Sequence, residues 1–528
     1  MKSIVLSGFM ATGKSTVGPR VAARLGLPFV DTDAEIERAT GQRIADLWRA
    51  EGEPAFRARE LALVERLLGD GTRSRCVVAF GGGTVTVDRA RRLAVDHALV
   101  VTLTASPETI AARAGDAGQR PNLAVGADPV TRSRELLAAR APSYAECHLS
   151  LSSDVLDPDA LVDAIVALTE RDPLVVPLGA RSYAIDVCVG DPARLTDAIV
   201  RCAPSSVILV TDSNVQRARG AALERALRPL AVPVAHVTLP PGEAQKTLVT
   251  VSTIWDAALG AGVDRDALVV AAGGGVVGDL AGFAAACLLR GVRFVQAPTT
   301  LLSMVDSSVG GKTGFDHASG KNLIGAFHQP SAVVADLEHL TTLAPRERRA
   351  GLAEIVKIAL ATDAPLLDVL ERNVAALARG DVETLVPVVR GAIEAKVRVV
   401  RDDEREAGPR ALLNLGHTVG HALETHGGYA RWLHGEAVAL GTVAELRASV
   451  ALGLTPADLP GRAAELFAAL GLPTTVTADD LAASWRFVAG DKKRAGSQLK
   501  LPVVTSAGIA HVEKIDLARL RAAVLGAH

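Results

Sequence analysis

A bias of charge is the first thing this chain lacks. Lys and Arg number 57 against 59 Asp and Glu, a formal net charge of −2 over 528 residues. There is no electrostatic case for a nucleic-acid or membrane-surface partner, so any basic clusters must be local ones that meet small anions. Cysteine is equally sparse. Cys76, Cys147, Cys188, Cys202 and Cys287 are odd in number, scattered and without a CxxC pair, which argues against a disulfide framework or a thiolate metal site and suits small core residues in a reducing cytosol. No apolar run is long enough to span a bilayer, and the opening MKSIVLSGFMATGK has too short an apolar stretch for a secretion signal. A soluble, cytoplasmic protein is expected. Internal repeats and low-complexity tracts are also missing. What remains, 49% hydrophobic and 22% charged, is globular, and the chain is too long for one ordinary core, so two or more domains are expected.

Histidine is concentrated in one place. Of 12 His, four (His417, His421, His426 and His434) fall within 412–436, LLNLGHTVGHALETHGGYARWLHGE. Any one alone is more often a surface or hydrogen-bonded core residue than a ligand; the clustering is what points to a metal. The spacing of His417 and His421 puts them on one helical face, and after a Gly-rich turn comes His434, beside Glu436. The missing carboxylate is available from Glu354 in GLAEIVKIAL. Zinc, or a neighbour such as cobalt, accepts such a mixed nitrogen and oxygen shell with one position left open for substrate.

At the amino end, a short apolar strand is followed at once by GFMATGKST and then by a helical pattern. Strand, Gly-rich loop and helix form the context in which GxxxxGK[ST] cradles phosphates: Ala11, Thr12 and Gly13 as loop amides, Lys14 reaching the outer phosphates, Ser15 on magnesium, and Thr16 in the first turn. A second apolar strand ends in DTD, which puts Asp31 and Asp33 at a strand's carboxyl end, where open α/β sheets gather ligands. FRARE follows, with Arg57 and Glu60 on one helical face, then VVAFGGGT, whose glycines imply close approach to backbone. Further on come Arg113, Arg120 in a polar, lid-like QRPN stretch, and Arg140 in AARAPSYAE.

From about residue 1 to 168 this order of motifs, without a gap, resembles shikimate kinase. The resemblance implies a P-loop kinase fold, a parallel sheet with helices on both faces, that uses ATP with Mg2+. Asp33, Arg57, Gly82 and Arg140 would hold shikimate. Asp33 would orient or deprotonate the attacking hydroxyl, Asp31 would help hold magnesium, and Arg120 would close on the ATP phosphates. Phosphoryl transfer needs mainly such positioning and charge neutralisation. Arg113 is the best candidate for adenine. Ala11 and Thr12 stand where a middle glycine is common, a departure expected to alter the loop's geometry.

A closing helix capped by Asp157 and Pro158 leads to a breaker at Asp172 and Pro173 and then a new strand. With no Pro- or Ser-rich tether, this places a tight boundary near residue 170. From Ser206 to about Pro298, strands alternate with helical runs, an α/β nucleotide-binding pattern. Asp212 and Asn214 end one strand and suit ribose or adenine; Glu243 and Lys246 lie in LPPGEAQKT. VVAAGGGVVGDLAGF is strand, glycines and helix, so a dinucleotide's pyrophosphate could rest on Gly274, Gly275 and the amides of Val276, Val277, Gly278 and Asp279. The run from Thr299 and Thr300 through Asp306 and Lys312 to Lys321 and Asn322 looks like an anion clamp. Beyond Ala344 the pattern is almost wholly helical, with one short strand-like piece, LKLPVVTSAG. This part adds Lys357, Lys396 and Arg410, and DKKR near its end adds Lys492 and Lys493.

Over nearly all of 172–528 these blocks, from GEAQKT and GGGVVGDLAGF to DEREAGPRALLNLGHTVGHALE and HGEAVA, resemble 3-dehydroquinate synthase. The resemblance implies NAD+ in the α/β part and Zn2+ or Co2+ on Glu354, His417 and His434. Arg290, Lys312, Asn322, Lys357, Arg410 and Asn414 would surround 3-deoxy-arabino-heptulosonate 7-phosphate, with His421 a proton shuttle and Lys396 and one DKKR lysine completing the pocket. Lys312 and Lys357 would also act catalytically. A homodimer through this part is implied as well.

The expected organisation is a kinase domain over 1–170, an α/β NAD-binding domain over 171–344 and a mostly helical metal- and substrate-binding domain over 345–528. The two activities are not consecutive steps, so no direct handover of an intermediate is expected. Two rival readings are a metal-dependent polyol dehydrogenase, which has little use for so many cations, and a P-loop module that only regulates the rest of the chain, against which Asp33, Arg57, Arg120 and Arg140 speak together.

Overall fold

The computed structural model describes residues 2–69, 75–114, 128–318, 320–488, 494–495 and 498–526. It divides into two compact units, Met1–Asp186 and Val187–His528.

The first unit is built on five parallel strands in the order Phe29–Asp31, Val77–Ala79, Ser3–Ser7, Ala98–Thr104, Leu149–Ser152. Alternation along the central strand explains why helices cover both faces. Ile4 and Leu6 point into one apolar cluster with Val17, Val21 and Ile165, whereas Val5 points into the other with Val64, Val95 and Ile110. The central strand is flanked by strands from later in the chain on both sides, so its carboxyl end opens at a switch point, where a ligand cleft forms. The helix Pro158–Arg171 starts where its signals say: Asp157 accepts N–H bonds from Asp159 and Ala160 at 3.0 and 2.8 Å. It ends on Asp172 in a left-handed conformation (φ 39°) before the strand Leu174–Val176.

The second unit carries parallel strands in the order Ala332–Asp336, Arg293–Pro298, Leu268–Gly273, Val207–Asp212, Val234–Leu239. The same alternation recurs, Val269 and Ala271 facing one cluster and Leu268, Val270 and Ala272 the other. The segment expected as a clamp loop is an antiparallel hairpin, Lys312–His317 with Gly320–Phe327. A helical part follows. Its central helix, Pro345–Thr362, is buried at every position from 350 to 361, as a helix surrounded by others must be. The single strand-like piece expected near the carboxyl end is in fact two long strands, Gln498–Ser506 and Ile509–Asp516, with a short third at Arg494–Ala495. The second strand escaped notice because it lies largely at the surface and buries little of its own side-chain area, so the alternation that betrays a strand is faint.

Candidate active sites

The strand Ser3–Ser7 delivers the loop 8–13 to the helix Lys14–Leu25, whose N-cap is Gly13 (φ 100°) and which has no side-chain cap. Its amino-end amides therefore face the loop's hollow, where an anion belongs. Ala11, standing where glycine was expected, adopts φ 61°; the loop keeps the left-handed turn at a cost of about 1 kcal/mol. Lys14 is buried and its Nζ donates to Gly8 O and Phe9 O, both at 2.8 Å, so the ammonium is pinned over the loop. Ser15 Oγ donates to Asp31 Oδ2 at 2.9 Å. Asp31 also caps the helix Thr32–Thr40 through the Asp33 and Ala34 amides, so it has a structural duty beside any metal-related one. A cleft of ≈ 510 Å³ runs from Ala11, Lys14 and Ser15 to Arg113, Ser153 and Pro158. In it Arg113 donates to Ser153 Oγ and O at 2.9 and 3.0 Å, making a flat wall for a base.

Beside the loop, Asp33, Arg57 and the glycine run converge. Arg57 donates to Glu60 at 2.5 Å and to Glu53 at 3.0 Å, with its guanidinium 5.3 Å from the Trp48 ring centre. Glu60, buried, also accepts from Thr84 Oγ1 at 2.5 Å. Burial, then the carboxylates of Glu60 and Asp31, push Asp33 up from 3.8 to about 6, against the opposing pull of Lys14 and Arg57. Gly82 O accepts from Arg140 at 3.0 Å and from Tyr144 OH at 2.5 Å. A methyl on Gly83 would sit 2.2 Å from Arg57 Nη2 and 2.5 Å from its Cζ, so glycine is what lets the guanidinium stand there. Gly83→Ala is expected to destabilise the first unit by about 1–3 kcal/mol of overpacking against Arg57. Denaturant titration beside the parent checks it. Arg120 lies outside the described residues, as do Lys492 and Lys493.

In the second unit the helix Gly275–Cys287 begins without a side-chain cap immediately after the strand Leu268–Gly273, the geometry in which a pyrophosphate meets helix amides. Val277 is buried in the core beneath, so only backbone is offered there. Asp212 caps the helix Ser213–Leu227 through the Asn214 and Val215 amides at 2.8 and 3.0 Å. Thr299 N donates to Gly273 O at 2.9 Å, and Thr300 Oγ1 bonds Ser303 Oγ at 2.9 Å. Lys246 pairs with Asp279 at 2.6 Å and with Asn322 at 2.5 Å. Asn322 thus shares Lys246 with Asp279.

Glu354, from the middle of the buried helix Pro345–Thr362, meets His417, which opens the helix His417–His426, and His434, which opens His434–Ala451. A methyl on Gly441 would lie 2.1 Å from Gly416 O; that close packing of the last two helices sets the imidazoles side by side. His417 Nε2 and His434 Nε2 stand 3.7 and 3.2 Å from Glu354 Oε1. One ligand atom of each lies within 4.8 Å of the others. His417 Nδ1 faces Leu415 O at 3.1 Å and His434 Nδ1 faces Glu424 Oε2 at 3.1 Å, so each ring is oriented with its Nε2 toward Glu354, the orientation that metal-binding histidines take when their other nitrogen is hydrogen-bonded. Both Glu354 oxygens are buried without a hydrogen bond of acceptable geometry. Burial pushes His434 down, but Glu354 and Glu424 outweigh it and raise it to about 10. The centre calls for positive charge, and the donor set fits a divalent ion. The helix end is held by Glu445, which is fully buried and accepts from the Gly416 and Val419 amides at 2.7 and 3.0 Å.

Cations crowd the same place. Lys357, buried, pairs with Glu354 and donates to Leu413 O at 2.5 Å. Lys396 pairs with Asp306 and donates to Asp306 O at 2.5 Å; burial lowers Lys396 to about 8, Asp306 opposing and Arg410 adding to the fall. Arg410 donates to Gly310 O at 3.0 Å and to Glu404 O. Lys312 pairs with Glu406, whose other oxygen accepts from Asn414 Nδ2 at 2.7 Å. His421 lies 5.0 Å from the His417 ring and 5.8 Å from that of His434. Lys321 pairs with Glu243 and Glu424 at 3.1 and 3.2 Å.

Three residues singled out in the sequence lie outside this cluster within one copy of the chain. His426 turns away to Asp480 at 3.4 Å. Glu436 caps Leu433 N at 2.9 Å and binds Arg346 at 2.7 Å, so it serves the fold. Arg290 is exposed at the far end of the 13-residue helix from Gly274, about 20 Å along its axis, and has no described contact with Lys312, Lys357 or Arg410. Sequence reasoning passed over Tyr144, Glu406, Glu424 and Glu445. Tyr144, Glu406 and Glu424 had a signal, lying inside motifs already singled out; Glu445 had none.

The first unit has the make-up of a P-loop small-molecule kinase, the second that of a metalloenzyme whose anion pocket adjoins a dinucleotide-type fold. Residues 236–350 match the family described as 3-dehydroquinate synthase N-terminal, 351–494 match 3-dehydroquinate synthase C-terminal, and 10–170 match shikimate kinase. A 3-dehydroquinate synthase of Halorhodospira halophila (strain DSM 244 / SL1) is 49% identical over 342 residues, 64% of this chain and 94% of that protein. The chain belongs to the 3-dehydroquinate synthase family and carries a shikimate kinase domain ahead of it, a bifunctional enzyme of the shikimate pathway. Among solved structures, 2-epi-5-epi-valiolone synthase from Streptomyces hygroscopicus subsp. jinggangensis 5008, with NAD+ and Zn2+ bound, is 29% identical, covers 65% of this chain and 96% of its own, and superposes with a TM-score of 0.58. A 2-deoxy-scyllo-inosose synthase complexed with carbaglucose-6-phosphate, NAD+ and Co2+ shares the fold at 24% identity, covering 67% of this chain and 99% of its own, with a TM-score of 0.60.

Proposed function

We propose that the second unit uses NAD+ and a zinc or cobalt ion on Glu354, His417 and His434 to convert 3-deoxy-arabino-heptulosonate 7-phosphate to 3-dehydroquinate and phosphate. The observation that carries this is the buried Glu354 carboxylate facing two inward-turned imidazoles, with Lys357 at its side. Glu354, His417 and His434 would hold the ion, which would supply Lewis acidity toward a substrate hydroxyl, and the bound dinucleotide would supply reversible hydride transfer. Lys312, Lys357, Lys396, Arg410 and Asn414 bind the substrate's carboxylate and phosphate, which suits their density around one cavity. His421 moves a proton beside the centre. Asp212, Asn214, Glu243, Lys246, Lys321 and the helix start at Gly275 hold the dinucleotide. A polyol dehydrogenase would have no use for such a cation set.

In the first unit, Lys14, Ser15 and Asp31 hold ATP with Mg2+, Arg113 borders the adenine, and Arg57, Arg140 and Gly82 hold shikimate for Asp33 to orient and deprotonate. The domains run 1–170, 171–344 and 345–528. Two copies pair through the second unit, where Leu323, Ile324 and Phe327 are exposed on the strand Gly320–Phe327. A reducing cytoplasm suits cysteines that are all free, and no described helix is long and apolar enough to cross a membrane.

The test supplies heptulosonate phosphate, NAD+ and zinc and follows phosphate and NADH together. Stoichiometric phosphate without net NADH is expected. Accumulating NADH, with a simple polyol as substrate, would establish the dehydrogenase instead.

A further inference from the structure

Glu424 is buried on the helix His417–His426. Its two oxygens serve different partners. Oε2 faces His434 Nδ1 at 3.1 Å, and Oε1 meets Lys321 Nζ at 3.2 Å. Lys321 comes from the hairpin strand Gly320–Phe327, and its ammonium also pairs with Glu243 at 3.1 Å, on the nucleotide side. It is further held 4.4 Å from the centre of the Tyr429 ring, whose hydroxyl bonds Thr425 Oγ1 at 3.0 Å. A single carboxylate therefore spans the gap between a lysine of the dinucleotide half and a histidine of the cation centre.

We infer that Glu424 is a positioning residue that couples cation binding at Glu354, His417 and His434 to nucleotide binding at Lys321. The inference rests on the cofactor assignments proposed above. The Glu424 carboxylate fixes the His434 ring with Nε2 toward Glu354 Oε1. Its negative charge is divided between that ring and the Lys321 ammonium. An anionic nucleotide that draws on Lys321 leaves more of the charge to His434 and strengthens its hold on a cation. By linkage the cation must favour the nucleotide by the same factor. No direct contact between the two ligands is required.

The experiment uses the full chain stripped of metal and titrated with zinc against a chromophoric chelator, with and without saturating NAD+. In the parent, NAD+ is expected to tighten zinc by about fivefold or more. Glu424→Gln keeps the shape and loses the charge; zinc is expected to weaken by about 10- to 100-fold, with the NAD+ effect reduced to less than about twofold. Lys321→Met moves the other way, binding zinc a few-fold more tightly than the parent before nucleotide is added, with NAD+ then adding nothing. Far-UV circular dichroism and denaturant titration of the same preparations report that the second unit, which carries both substitutions, is folded. A Glu424→Gln chain that binds zinc as the parent does, or keeps the parent's NAD+ effect, overturns the inference alone. A parent that binds no zinc overturns the metal assignment and the inference with it.

Discussion

Asp33→Asn is expected to abolish most shikimate phosphorylation while making the first unit more stable. The carboxylate stands among Glu60, Asp31, Lys14 and Arg57, with Glu60 and burial winning. Removing a positioned base costs about 10²–10⁴-fold in turnover, with little change in the KM for shikimate because Arg57 and Arg140 remain. Stability moves oppositely. A carboxyl whose folded value lies near 6 rather than 3.8 binds its proton more tightly in the fold than in the unfolded chain. Ionising it therefore destabilises the fold progressively as pH rises from about 4 to 6, by at most about 3 kcal/mol above that window. Asparagine carries no such charge. Denaturant titration at pH 7.5 and at pH 4 should find the variant ahead of the parent at the first and level with it at the second. The parent's kcat/KM should rise through pH 6. A variant that phosphorylates shikimate at more than about a tenth of the parent's rate would remove Asp33 from the reaction.

Glu354→Gln should have the largest effect in the second unit. Its charge is fully buried, balances Lys357 and faces both imidazoles. The amide keeps the volume but leaves Lys357 buried without its counter-ion, which in the metal-free chain should cost about 3–5 kcal/mol of unfolding free energy. Phosphate release should fall roughly 10³-fold or more, as several kcal/mol of Lewis-acid assistance disappear with the ion. Kinase turnover should survive wherever the chain is still folded. A stability change under about 1 kcal/mol would mean that Glu354 carries no charge in the fold.

The phosphate loop, DTD and the histidine cluster were legible because each is a local pattern: a strand that runs into a loop, or imidazoles one helical turn apart. The α/β cores, with apolar clusters on both faces of each sheet, were legible for the same reason, through uninterrupted apolar strands. Glu354 could be proposed from its helix, but its fit depends on Gly441 and the close packing of three helices, which no local spacing encodes. Glu445 was invisible because it caps a helix 29 residues earlier in the chain. Arg290 shows the converse. Its motif neighbours suggested the substrate pocket, and within one copy the helix between it and Gly274 sets it about 20 Å from that glycine. Asp31 and Asp212, chosen for ligands, both cap helices, because a strand end followed by a helix puts one acidic side chain in reach of both tasks.

That one chain holds two separate catalytic centres is tested most directly by assaying both reactions on one preparation of His417→Ala beside the parent: phosphate from heptulosonate phosphate with NAD+ and zinc, and ADP from ATP with shikimate. Loss of phosphate release with parental ADP formation is the predicted result; phosphate release at the parental rate would contradict the assignment of the metal centre.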